Sequence, residues 1–211
     1  MLIVFEGIDG SGKSTQAKLF PADYKLAFPR YDTLAGKLIR LIYTQKWASR
    51  INPYVTAWLF AFDRFLAKPL INRWLESGQT VVLDRYTYSS MAHQGAKLDG
   101  RERQRLIDWI DWLENKLFRL PRADKVIYLK VPAQISKKLM RSRRKDLAEA
   151  DFAYQQKTAK VYLILAERYK FTVIDCLDKQ NHLLSKNDVA KKIAAAIGWS
   201  GCCRLKKQLV A

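Results

Sequence analysis

The chain has 211 residues, 49% of them apolar, which suits one domain with a sizeable buried core. No run approaches 18 consecutive apolar residues, and the first residues lack a basic region, an apolar core and a small-residue cleavage site; both argue against a membrane span or an export signal. The 38 Lys+Arg against 20 Asp+Glu give a net charge of +18, a field that attracts polyanions, whether nucleic acid, an acidic membrane or phosphate-rich small molecules.

"MLIVF" (1–5) reads as a first strand, followed by a glycine-rich loop and a short helix over 13–20 that stops near Pro21. "YKLAF" (24–28) reads as a second strand closed by Pro29. Helical spacing follows over 33–43 and 54–76, with a kink expected at Pro69. "TVVLD" (80–84) is a buried strand ending in an acid, and an amphipathic helix over 101–118 carries Trp109 and Trp112. "KVIYLKV" (125–131) and "FTVID" (171–175) complete five strands, separated by a helix over 149–169 and followed by one over 186–197. Short β-branched runs alternating with helices predict a three-layer α/β fold, an open parallel sheet of five strands covered on both faces.

The expected domain covers 1–198, and the basic tail 199–211 fits no element of this pattern. Cys176, Cys202 and Cys203 are odd in number, two are adjacent, and none has metal-site spacing. They predict no disulfide framework or zinc site, and a reducing cytoplasm is the simpler setting.

Gly7, Gly12, Lys13 and Ser14 satisfy G-x-x-x-x-G-K-[ST] between a strand and a helix, where the phosphate-loop mechanism needs them. Glycines let successive backbone N–H groups wrap an anion, and the helix N-terminus adds partial positive charge. The stretch Gly7, Ile8, Asp9, Gly10, Ser11, Gly12, Lys13, Ser14 and Thr15 is therefore the predicted ATP site. Lys13 is expected to reach the outer phosphates, and the Ser14 hydroxyl to ligate Mg²⁺. A second metal-side acid is expected at the end of a neighbouring strand, where Asp84 closes "TVVLD"; by itself, an aspartate there is as readily a helix cap. A guanine-reading N-K-x-D and the further motifs of a helicase core are both missing, which leaves small-molecule kinases and other ATPases.

Phe60 and Arg64 in "LFAFDRF" stand four apart on one helix face, a stacking surface beside a planar donor. Taken alone, that pair is more readily a core aromatic and a surface ion pair. Together, "FEGIDGSGKSTQ" (5–16), "LAFPRYD" (26–32), "LFAFDRF" (59–65) and "DRYTYSSMAHQGA" (84–96) resemble the thymidylate kinase family, in order and at similar spacing, over about residues 1–175. The resemblance implies a P-loop fold with a basic lid, transfer of the γ-phosphoryl group of ATP to dTMP, Mg²⁺, and a homodimer. It places Phe60 against the thymine and Arg64 on its O4. Phe28, Tyr31 and Arg30 fall along the acceptor site, and Ser89 and Ser90 near the base. Arg85 grips the acceptor phosphate, and Asp9 lies near the sugar hydroxyl and phosphate.

"KKLMRSRRKD" (137–146) follows the fourth strand, where the monophosphate kinases carry a mobile lid, here about 137–150. Some thymidylate kinases have an arginine inside the phosphate loop where this chain has Gly10. The lid must then supply that charge, with Arg143 and Arg144 favoured over Arg141; Leu147 departs from the family's lid pattern. His93 stands where the family usually has tyrosine or phenylalanine near the sugar. A smaller ring, protonated beside a phosphate, leaves the choice between deoxyribose and ribose open. The alternatives are a monophosphate kinase of broader acceptor choice and, on charge alone, a nucleic-acid-binding P-loop ATPase.

Overall fold

A computed structural model describes residues 1–45, 51–140 and 152–199. Five strands, β1 (Leu2–Glu6), β2 (Tyr24–Ala27), β3 (Val81–Asp84), β4 (Lys125–Lys130) and β5 (Thr172–Asp175), form one all-parallel sheet in the order β2-β3-β1-β4-β5. Each predicted strand is present, within a residue of its expected ends.

The sheet is buried on both faces because alternate side chains of its central strand enter different cores. Leu2 and Val4 pack with Val81, Leu83 and Tyr128 on one side. Ile3 and Phe5 pack with Val82, Ile127 and Leu129 on the other. The first core is covered by α3 (Pro53–Glu76), α4 (Thr87–Gly95), α5 (Gly100–Trp112) and α7 (Phe152–Arg168). The second is covered by α1 (Lys13–Leu19) and α8 (Lys186–Ala196). Trp199, first residue of the predicted tail, packs on Phe20 with ring centroids 5.1 Å apart.

One helix departs from the sequence reading. The helix expected over 101–118 changes at Leu113 into a π-helical turn, Leu113–Leu117, which widens the backbone and turns Glu114 inward to complete burial. The apolar-patterned α3 runs on through Pro69. Its buried side carries Asp63 and Arg64 beside small residues (Ala57, Ala61, Ala67), whereas Trp58, Phe65, Leu66 and Leu70 are exposed. α2 (Leu34–Tyr43) and α6 (Ala133–Met140) complete the described helices. At the start of α2, a Cβ on Gly36 would lie 1.8 Å from the Arg30 carbonyl oxygen, so only glycine lets the helix seat on the loop after β2.

Candidate functional site

The loop from Gly7 to Gly12 leaves the C-terminal end of β1, and Asp84 ends the neighbouring β3, paired in register with Phe5. Gly10 and Gly12 adopt φ of 76° and 86°, which a side chain disfavours. A Cβ on Gly7 would fall 2.5 Å from Ser11 Oγ and 3.1 Å from the Leu129 carbonyl oxygen. The loop thus curls into a cradle of backbone at the start of α1, the geometry of an anion site. Ser14 and Thr15 lie in the first turn of that helix. Lys13 is buried there, donating to the Ile8 carbonyl at 3.2 Å and lying 3.5 Å from Asp9 Oδ1. Burial and the nearby Arg85 lower its pKa.

Asp84 Oδ1 is buried without a hydrogen-bond partner among the described residues. A carboxylate oxygen left so is costly unless a cation takes it. The chemistry of Asp84 and the Ser14 hydroxyl fits Mg²⁺, a hard ion commonly held by one or two protein oxygens together with substrate phosphates.

Beside the loop opens a cavity of about 480 Å³, within the range of small-molecule sites. Of the predicted acceptor residues, Asp9, Phe28, Tyr31, Phe60, Arg64, Arg85, Ser89, Ser90 and His93 line it. Arg30 does not: its side chain is turned onto Asp63, donating Nε to Oδ1 at 3.1 Å and Nη2 to the Asp63 carbonyl at 2.9 Å. Arg40, which carried no sequence signal, lines the cavity instead. Arg141, Arg143, Arg144 and Leu147 lie outside the described residues, as does most of the predicted lid.

Arg64 and Ser89 are held by carboxylates outside the cavity lining. Arg64 donates Nε to Glu114 Oε2 at 2.8 Å, and Nη2 to Glu114 Oε1 at 2.5 Å and to Ser90 Oγ at 2.7 Å. Glu114 also accepts from Thr87 Oγ1 at 2.7 Å. Only Nη1 of Arg64 makes no hydrogen bond to the described residues, so it is the donor left for the cavity. Glu6, fully buried on β1, accepts from the N–H groups of Tyr86 (2.9 Å) and Ser89 (3.1 Å), and from the hydroxyls of Ser89 (2.6 Å) and Tyr162 (2.8 Å). It caps the start of α4 from another strand. Burial raises its pKa against the pull of those hydrogen bonds.

Arg85 holds a left-handed backbone, φ 68°, between β3 and α4. Its Nη2 pairs with Asp9 Oδ1, and its Nη1 lies 3.0 Å from His93 Nε2 and 3.4 Å from Ser89 Oγ. Gln155 on α7 donates to the other Asp9 oxygen at 3.1 Å. Burial alone would raise the Asp9 pKa, but Arg85 and then Lys13 outweigh it and hold the carboxyl far below its usual range. Burial, Arg85, Lys13 and Lys97 push the His93 pKa down to about 3, despite Asp9, in the site without a phosphate.

Glu6, Glu114, Tyr154 and Gln155 escaped the sequence reading. Glu6 sits within "FEGIDGSGKSTQ" and was available from that motif. Glu114 owes its position to the π turn, which has no signature in local spacing.

The "Thymidylate kinase" family profile matches residues 5–187. A "Probable thymidylate kinase" of Methanocaldococcus jannaschii is 39% identical over 184 residues, covering 85% of this chain and 88% of that protein. The "Thymidylate kinase" of Mycobacterium tuberculosis is 30% identical, covering 79% and 86% respectively. A solved thymidylate kinase structure from Candida albicans superposes with a TM-score of 0.72 at 27% identity, over 93% of this chain and 90% of that one. A phosphate loop, a braced polar cavity beside it and this pattern of likeness lead to one conclusion: the chain belongs to the thymidylate kinase family, which makes it an ATP-dependent nucleotide kinase.

Proposed function

We propose that this enzyme transfers the γ-phosphoryl group of ATP to dTMP, with ATP on the phosphate loop and dTMP in the adjoining cavity. The observation that carries the reading is Arg85, a cation aimed between the loop acid Asp9 and the cavity. Phosphoryl transfer through a loose transition state asks the protein mainly for positioning and charge. Arg85 and Lys13 supply fixed positive charge on the two sides of the transfer, and Asp9 keeps Arg85 in place. Phe60 offers the base a stacking face, while the Nη1 edge of Arg64 presents a donor to its carbonyl oxygen. Ser14 and Asp84 would hold Mg²⁺, which offsets phosphate charge when bound. The same reading assigns to Arg143 and Arg144 the positive charge that Gly10 leaves out of the loop.

We also assign a homodimer. Trp58 and Phe62 stack at 5.2 Å on α3, Phe62 lies 6.4 Å from Phe65, and Phe65 lies 4.8 Å from Phe118. This aromatic row on a solvent-facing helix side suits cover by a second copy. No helix among the described residues is long and apolar enough to cross a membrane, in keeping with a cytoplasmic enzyme.

ADP release measured with ATP and each of dTMP, dUMP, UMP, AMP and CMP tests the acceptor. Turnover that depends on dTMP supports the reading. Comparable rates with several monophosphates would replace it by the broader kinase, a reading given point by the Candida albicans protein, whose structure is described as revealing the origin of broad substrate specificity. Turnover driven by DNA or RNA with no monophosphate requirement would refute it.

A further inference from the structure

Asp9 is held through its side chain and, separately, through its backbone. The carboxylate takes Arg85 on Oδ1 and the Gln155 amide of α7 on Oδ2. The main-chain carbonyl accepts the hydroxyl proton of Ser136, a fully buried residue in the first turn of α6. A serine within a helix commonly turns its hydroxyl back onto a carbonyl of its own helix, but Ser136 commits it to a loop 127 residues away. The direction of that carbonyl matters. The Asp9–Gly10 peptide is trans, so its C=O and its N–H point to opposite sides. Holding the Asp9 oxygen toward α6 turns the Gly10 N–H away from α6, and that N–H makes no hydrogen bond among the described residues. The preceding carbonyl, of Ile8, is likewise drawn off, accepting from Ser11 N–H and Lys13 Nζ at 3.2 Å each. An anion cradle needs this arrangement, with N–H groups presented and carbonyl oxygens held out. We propose that Ser136 is a positioning residue for ATP, a hydroxyl that keeps the Asp9–Gly10 peptide turned with its N–H toward the phosphates.

The loop itself offers this peptide little resistance to turning over. Gly10 has no Cβ, and its φ of 76° lies in a region that glycine enters and leaves at small cost. Without the Ser136 hydroxyl, the Asp9 carbonyl can swing into the cradle and set an oxygen against the phosphates. The carboxylate does not depend on this bond, because Arg85, Lys13 and Gln155 hold it. Loss of the hydroxyl is therefore felt on the ATP side of Asp9 and spares the acceptor side.

The inference rests on the reading that the phosphate loop holds ATP, and two measurements on the full chain separate their fates. Ser136→Ala deletes one atom from a helix, at a residue type helices favour, so the fold is kept. In steady-state kinetics it should raise KM for ATP about tenfold, the scale of one hydrogen bond lost with its acceptor stranded, and leave KM for dTMP unchanged. A rise of both constants by the same factor, or of neither, overturns the proposal. The second measurement reads the peptide without turnover. The chain has two Asp-Gly pairs, Asp9-Gly10 and Asp99-Gly100, so carbonyl-¹³C aspartate with ¹⁵N glycine selects two amide signals in NMR, and Asp99→Ser assigns them by deleting one. ATP with Mg²⁺ and no acceptor should move the Gly10 amide proton downfield in the wild type and much less in Ser136→Ala, with Gly100 as the internal control. A shift retained in full by Ser136→Ala rejects the positioning role while keeping the loop as the ATP site. A wild-type Gly10 signal that ATP does not move rejects the loop reading itself, and the proposal with it.

Discussion

Arg64 and Glu114 form a two-pronged ion pair at 2.8 Å and 2.5 Å, with both side chains essentially out of solvent. A buried charge whose partner is removed is left uncompensated, at a cost of about 3–5 kcal/mol. Glu114→Ala is therefore expected to lower unfolding free energy by about that amount in urea titrations. Glu114→Gln keeps the shape but frees the guanidinium to rotate, so it should raise KM for dTMP more than it changes kcat. A Glu114→Gln enzyme with wild-type KM would show that Arg64 needs no such orientation.

Asp84 has a buried oxygen without a hydrogen-bond partner among the described residues, and its chemistry fits a metal ion. Chelation of Mg²⁺ should abolish turnover, and added Mg²⁺ should restore it. Asp84→Asn should raise the half-saturating Mg²⁺ concentration by about tenfold, in line with other losses at metal sites, while KM for dTMP stays put. An unchanged Mg²⁺ requirement would take Asp84 out of the ligand set.

Arg143 and Arg144 test how the charge missing at Gly10 is supplied. The double alanine variant should lose about a thousandfold in kcat, the scale of an arginine acting on transferred phosphoryl groups. Its affinity for dTMP, measured by calorimetry, should change little. Full turnover in that variant would end the assignment.

His93 links the site to acid stability. Its ordinary pKa of 6.5 falls to about 3 in the fold, so between those values the unfolded chain binds the proton and the folded chain does not. Acid therefore draws the equilibrium toward unfolding, progressively below pH 6.5, and the effect is absent above it. Relative to His93→Gln, the wild type should lose about 2 kcal/mol between pH 7.5 and pH 4.5 in paired urea titrations. Parallel pH profiles would mean that the ring takes up a proton in the folded state as readily as in the unfolded one. The comparison is made against the variant because Glu6 titrates in the opposite sense. Its raised pKa favours the protonated folded form, so acid relieves its burial.

Strand positions were legible because β-branched runs buried on both faces leave few readings, and the phosphate loop because its backbone demands glycine at fixed offsets. Phe60 and Arg64 were picked out by the family resemblance, since their spacing of four alone fits a core aromatic and a surface ion pair better, and both line the cavity. Spacing does not reveal which partner claims a side chain. Arg30, placed along the acceptor site from sequence, turns onto Asp63 because a fully buried carboxylate 33 residues away must be neutralised. Glu114 depends on a change of helical pitch, and Tyr154 and Gln155 on the packing of α7 against α4 and the phosphate loop, more than 60 and 140 residues distant in sequence. Such relations are settled by tertiary burial, which local periodicity does not encode.

α3 is a wall with different business on its two sides, roughly one helix diameter, ~10 Å, apart. Inward it holds Arg64, which lines the cavity; outward it shows a row of aromatic rings. One backbone serves both, so order imposed on either side is inherited by the other. Thermodynamic linkage then makes the exchange mutual: if pairing of two copies steadies the nucleotide site, nucleotide must tighten the pair by the same factor. Dilution would thereby become a means of weakening acceptor binding, through a surface the acceptor never touches.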